Sequence, residues 1–88
     1  MQTRWNIKPK DVKVPAGKPA HVQCSADGKP SPRIEWYKIR DDDSDDYVGP
    51  ELSFARVKKS DTGYYECKAS NDVDETLSTR IRLDVLGK

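Results

Sequence analysis

The chain holds one histidine, one phenylalanine, one methionine and only two cysteines among its 88 residues. The lone histidine, His21, has no partners at a spacing that would complete a nucleophile–base–orienter set, so nothing reads as a catalytic triad. The net charge is +1. No electrostatic field therefore draws the chain to nucleic acid or to an anionic membrane. No apolar stretch approaches the roughly 18 residues of a membrane span, and no signal peptide opens the chain. An N-x-S/T acceptor is missing too, since Asn6 and Asn71 are followed by Ile-Lys and Asp-Val. No helical period and no internal repeat is present. With 34% apolar and 35% charged residues, one thin core is all this length supports.

What is present is alternation. Ala20, Val22, Cys24 and Ala26 share one face, with His21, Gln23 and Ser25 on the other. Ile34 and Trp36 alternate with Glu35, Tyr37 and Ile39; Leu52, Phe54 and then Val57 alternate with Ser53 and Ala55. Tyr65, Cys67 and Ala69 form a third inward set, and Leu77, Thr79, Ile81, Leu83 and Val85 a fourth. Period two is the strand period, so the chain predicts a stack of half-buried strands. Arg4 to Lys8, interrupted by Pro9, predicts an edge strand, and Val12 and Val14 a second short one beside Pro15, since prolines are tolerated at edges. The segment Asp61-Thr62-Gly63-Tyr64-Tyr65-Glu66-Cys67 reads D-x-G-x-Y-x-C. Gly63 suits a corner where a Cβ would crowd the chain, and Asp61 can accept backbone N–H groups there.

Cys24 to Trp36 spans 12 positions and reads C-x-A-x-G-x-P-x-P-x-I-x-W, and Cys67 lies 43 positions after Cys24. This Cys–Trp–Cys order, with a tyrosine two residues before the second cysteine, resembles an intermediate-set (I-set) immunoglobulin domain, from about Pro9 to Val85. The resemblance implies an all-β, immunoglobulin-like β-sandwich of two antiparallel sheets joined by a Cys24–Cys67 disulfide. Trp36, Leu52, Asp61, Gly63 and Tyr65 would form its core signature, with the Tyr65 hydroxyl bonding back to the turn. A bridge closing about 44 residues would be worth about 4 kcal/mol in a chain-entropy account. The pair favours an oxidising compartment, although intracellular muscle domains of this fold can hold the same cysteines reduced. Trp36 and Cys67 stand close for an I-set domain, so the strands this family letters C′ and D are expected to be short or absent. Asp41 to Asp46 is expected to be a loop.

A narrower likeness rests on R-W-x-x-x-P-x-D at Arg4 to Asp11 and Y-x-C-x-A-x-N at Tyr65 to Asn71. These are similar to domains of the Down syndrome cell adhesion molecule family, which implies a surface receptor that recognises copies of itself. The chain departs from that pattern at Asp74, where glycine is frequent, and in the shortened segment before Leu52. Trp5 precedes the core pattern and is expected to pack at the domain's end or against a preceding domain.

Five aspartates in six positions, Asp41 to Asp46, could coordinate a hard cation, but Asp46 and Leu52 stand where an EF-hand needs its glycine and bidentate glutamate. The run reads instead as a solvated acidic loop that keeps an edge from pairing. A zinc site of His21 with both cysteines is excluded because His21 points away from Cys24 across its strand. No metal, cofactor or small-molecule substrate is expected, and no enzymatic activity. The informative surface is the outward one carrying Glu35, Tyr37, Ile39, Tyr64, Glu66, Lys68, Arg80 and Arg82. Tyrosines and arginines among mixed charges match protein interfaces; the plainer alternative is cross-strand pairing, such as Glu66 with Arg80 or Arg82, that merely covers a sheet. The expectation is one domain, residues 1–88, cut from a longer multi-domain extracellular or cell-surface protein, serving as a non-catalytic protein-binding module in adhesion or receptor recognition. Its partners would be proteins, identical or foreign, and adjacent domains, with membrane contact only through the parent. The alternatives are an intracellular structural domain of a giant muscle or cytoskeletal protein (cytoplasm, sarcomere), or the ligand-binding domain of a receptor kinase.

Overall fold

The computed structural model describes residues 3–87. Nine strands follow in order: β1 (Arg4–Ile7), β2 (Val12–Pro15), β3 (Ala20–Val22), β4 (Ser25–Asp27), β5 (Arg33–Ile39), β6 (Asp45–Gly49), β7 (Leu52–Phe54), β8 (Gly63–Ser70) and β9 (Leu77–Leu86). A single 3-10 turn, Lys59–Asp61, precedes β8. Except for β6 and for the break at Gln23 and Cys24 between β3 and β4, the strands fall where the alternation predicts, because each inward set of apolar residues needs a common core to leave water.

One layer is a five-stranded sheet ordered β2-β9-β8-β5-β6. The opposite layer consists of two short ladders, β1 with β4 and β3 with β7. β3 and β4 are separated only by Gln23 and Cys24, so the ladders follow one another along a single stretch of chain. The expected antiparallel pairing holds everywhere except at one edge, where β2 runs parallel to β9 with Val12 opposite Leu83 and Val14 opposite Val85.

Between the layers lie Val14, Val22, Trp36, Leu52, Val57, Tyr65, Cys67, Ile81, Leu83 and Val85, all buried. Trp36 is 1% exposed and Leu52 and Cys67 are 0% exposed, so the inward parity read from β5, β7 and β8 is the actual one. Cys24 is bonded to Cys67, with Cα atoms 6.7 Å apart. The bridge ties the break between β3 and β4 to the middle of the larger sheet.

The corner before β8 is built from the expected residues. The Tyr65 hydroxyl donates to the Asp61 carbonyl at 2.7 Å. The Asp61 carboxylate accepts the Lys58 N–H at 2.8 Å, and the Thr62 hydroxyl oxygen accepts the Val85 N–H at 3.0 Å, binding the corner to β9. Gly63 serves for a different reason from the one expected. A Cβ there would meet nothing closer than the Lys38 Cε at 3.9 Å, so crowding is not the constraint. Its φ of +155° is the constraint, a backbone conformation that L side chains rarely adopt.

Two further expectations change. The acidic run is not all loop: Asp41 to Ser44 form the turn, while Asp45 and Asp46 open β6, which pairs with β5. This is the short C′ strand, and between Gly49 and Leu52 no D strand occurs among the described residues. The turn closes through the Arg40 N–H to Ser44 carbonyl bond at 2.7 Å, with Asp43 at a φ of 67°. Trp5, within the expected first strand and opposite Ala26, packs half-buried against the main core of its own domain.

Candidate protein-interaction face

Strand register decides which side chains meet on the outward side of the five-stranded sheet. Three rows cross it. The lower row runs Asp45, Ile39, Tyr64, Arg82 across β6, β5, β8 and β9. The middle row runs Tyr47, Tyr37, Glu66, Arg80, and the upper row runs Glu35, Lys68, Ser78. All eight residues expected on this face are therefore brought together on it. Tyr47 and Asp45 join them, and sequence reading missed both because the aspartate run hid β6.

The rows are held by specific contacts. The Lys68 Nζ sits 4.7 Å from the centre of the Tyr37 ring, 3.6 Å from Asp45 and 3.8 Å from Glu66. Arg80 pairs with Glu66 at 3.3 Å, the cross-strand pair anticipated from sequence. Arg82 lies 5.2 Å over the Tyr64 ring and 2.7 Å from Asp84. Its hydrogen bond and charge contact with Asp84 raise the Arg82 pKa further above the ordinary value. The Tyr37 and Tyr47 rings meet edge-on at 5.6 Å. Tyr47 and Tyr64 remain 58% and 48% exposed, so half of each ring stays available to a partner. At the lower end the sheet borders an open depression of about 1010 Å³ whose lining mixes both signs of charge, including Lys38, Arg40, Asp41, Asp42, Arg80 and Arg82.

The other outward surface is plainer, with His21, Gln23, Ser53 and Ala55 all exposed. Cys24 and Cys67 are consumed by their bridge, and no free cysteine occurs among the described residues. No group of three or more His, Cys, Asp or Glu side chains there is arranged to hold a metal ion. Sequence reading also missed the network around Asn71, which is only 6% exposed. Its Nδ2 donates to the Pro30 carbonyl at 3.1 Å and to Asp74 at 3.3 Å, while its Oδ1 accepts the Val73 and Asp74 N–H groups at 3.0 and 2.9 Å. Thr3 donates to the same Asp74 carboxylate at 3.3 Å. Asp74, out of pattern in sequence, is thus an acceptor that ties the start of the described chain to the β8–β9 turn.

The model of the family described as "Immunoglobulin domain" matches residues 4–71. The chain belongs to the immunoglobulin-domain family. Among curated relatives of this immunoglobulin domain is the cell adhesion molecule Dscam1 of Drosophila melanogaster, 31% identical over 93 residues. That alignment covers 93% of this chain and only 5% of the relative. Among solved structures, that of Dpr11 IG1 bound to DIP-gamma is 28% identical with a TM-score of 0.75, covering 94% of this chain and 47% of that one. The structure of titin domains Z1Z2 in complex with telethonin superposes with a TM-score of 0.80, over 100% of this chain and 48% of that one. At 20% identity it is a likeness of fold.

Proposed function

We propose that this immunoglobulin domain is a non-catalytic protein-recognition module, one domain of a longer extracellular or cell-surface protein, and that it binds protein partners through the outward face of β6, β5, β8 and β9. The observation that carries the reading is the pair of half-exposed tyrosines, Tyr47 and Tyr64, set among Lys68, Arg80 and Arg82. Such rings offer large contact area at little conformational cost, and arginine adds planar hydrogen bonding, which is why both are enriched where interfaces bind most tightly. The opposite surface offers no such anchors. A relative named as a cell adhesion molecule and a structural neighbour seen bound to another immunoglobulin domain support the same reading. The intracellular spacer alternative is supported only by likeness of fold. The disulfide favours an oxidising compartment.

The test is to display the domain against an array of ectodomains from its source, itself included, beside a Tyr47→Ser/Tyr64→Ser variant. Partners captured by the parent and lost by the variant are the expected result. Capture that is indifferent to the two tyrosines would move the site off this face.

A further inference from the structure

The two sulfurs of the disulfide stand in different surroundings. Cys67 is 0% exposed in the middle of β8, whereas Cys24 is partly exposed in the break between β3 and β4. Cys24 lines an open depression of about 180 Å³, together with Ile7, Val22, Trp36, Pro50 and Glu51. Val22 and Trp36 belong to the buried core, so a depression lined by both dips below the surface of the short layer. That is the side to which the Cys24 side chain turns to meet Cys67. The opening originates in the path of the chain. Val22 pairs with Leu52, and prolonging that ladder would lay Glu51 and Pro50 beside Gln23 and Cys24. The chain arrives there from β6 in the other layer, however, so β7 begins only at Leu52 and the ladder stops short of Cys24.

We propose that this depression makes Cys24 a site of reversible thiolation, attacked by a small aminothiol from the surrounding fluid. The site lies at the core bridge and is independent of the recognition face. The electron pair of the thiolate forms a new S–S bond to the Cys24 Sγ. The Cys24–Cys67 bond breaks, and its pair leaves on the Cys67 Sγ, which takes up a proton from water. One disulfide replaces another, so no oxidant or reductant is consumed. Which sulfur is attacked depends on access, and the fully buried Cys67 offers none. Burial also makes the Cys67 thiolate a poor leaving group, so exchange is slower than at an exposed disulfide. The thiol left behind stays beside Cys24, and its return attack expels the added group and restores the bridge. The cap therefore persists only while the ambient thiol does, and for that time the short layer is without its covalent tie.

The lining selects among thiols. A water molecule takes about 30 Å³ of liquid. The depression, at about 180 Å³, thus admits the few heavy atoms of an aminothiol such as cysteamine, whereas a tripeptide thiol leaves most of its bulk outside. Among the described lining residues Glu51 alone is a carboxylate, and it is exposed. It attracts an ammonium group and repels a second carboxylate.

The test treats the folded, disulfide-intact chain with cysteamine over a concentration series. Samples are quenched in acid, labelled with N-ethylmaleimide in denaturant and mapped by peptide mass spectrometry. Cysteamine on Cys24 with maleimide on Cys67 is expected to exceed the reverse pattern by about tenfold or more, because only one sulfur is accessible. The rate is expected to rise in proportion to thiol. Equal capping of the two sulfurs, or a rate that levels off at that of global unfolding, places the attack on unfolded chains and overturns the proposal. A second measurement sets Glu51→Lys beside the parent, with cysteamine and mercaptopropionate compared at equal thiolate concentration. The parent is expected to react faster with cysteamine. The charge reversal is expected to shift that ratio toward mercaptopropionate by about tenfold, with the urea midpoint unchanged because Glu51 is exposed. A ratio that the substitution does not move shows that the thiol never passes Glu51, and overturns the depression as its route.

Discussion

The two layers of the sandwich are built to different standards. The five-stranded sheet has three central strands of 10, 8 and 7 residues, β9, β8 and β5, in unbroken register. The facing layer is made of strands of three or four residues, interrupted at Gln23 and Cys24. The long strands bury one face and leave the other free to vary, so chemistry collects there. The short ladders cover the core, and their outward surface carries no tyrosine, its exposed groups including Arg4, Ile7, His21 and Gln23. The disulfide joins the layers at the weak one's break. A small domain can therefore divide labour between its sheets, one presenting the proposed recognition face and the other closing the core, with a covalent tie holding the second in place.

The strongest way to break this contrast is Cys67→Ala, which leaves Cys24 unpaired in the gap between the ladders. The expected loss is about 4 kcal/mol, measured as a lower midpoint in urea unfolding. A midpoint equal to the parent's would mean the short layer needs no tie.

Tyr65 gives the next effect. Burial, with a smaller contribution from the Asp61 charge, pushes its pKa up to about 12 from 10.0. Folding thus favours the neutral phenol. The stability it contributes is complete below pH 10, declines as pH rises from 10 toward 12, and is gone above both values. The full loss is about 3 kcal/mol. Tyr65→Phe should lower stability by about 1 kcal/mol at pH 7, through the lost hydrogen bond to Asp61, and should flatten the decline above pH 10. Chemical denaturation repeated at pH 7, 10 and 11.5 measures both effects, and an unchanged alkaline decline in the variant would assign it to other groups.

The smallest effects lie on the two outward surfaces and sharpen the comparison. Tyr64→Ala and His21→Ala should each shift stability by no more than about 0.5 kcal/mol, as exposed substitutions do. Only Tyr64→Ala should reduce partner capture. Equal effects on capture would erase the distinction between the faces.

Much of this was legible beforehand, and what was missed has definable causes. The inward sets on β5, β8 and β9 could be read because burial on one side imposes a two-residue period. The disulfide and the Tyr65 corner could be read because few residue types serve those tasks. β6, expected only as a short or absent C′ strand, had its start read as loop because Asp45 to Val48 are all exposed; an edge strand with no buried side writes no alternation. Asp45 and Tyr47 were lost from the candidate face with it. Trp5 was misplaced because its neighbours Arg4 and Asn6 carry no apolar pattern, although its own ring finds the core. Asn71 stood out only as part of a family likeness, since an asparagine serving four hydrogen bonds looks in sequence like any turn residue. Gly63 was expected for the right position and the wrong reason, because backbone sign is invisible where only side-chain size is considered.

The parallel edge formed by β2 on β9 has a consequence for the order of folding. Asp11, just ahead of β2, accepts the Arg82 N–H across 71 positions of chain. Closing so long a loop is entropically late, so β2 reaches its seat only after most of the chain is ordered, and pairings this distant slow folding. Until then β9, with Leu83 and Val85 along it, waits as an open edge that another unfinished chain can occupy. The domain is most exposed to misassembly during this interval, before its first residues have returned to cover its last.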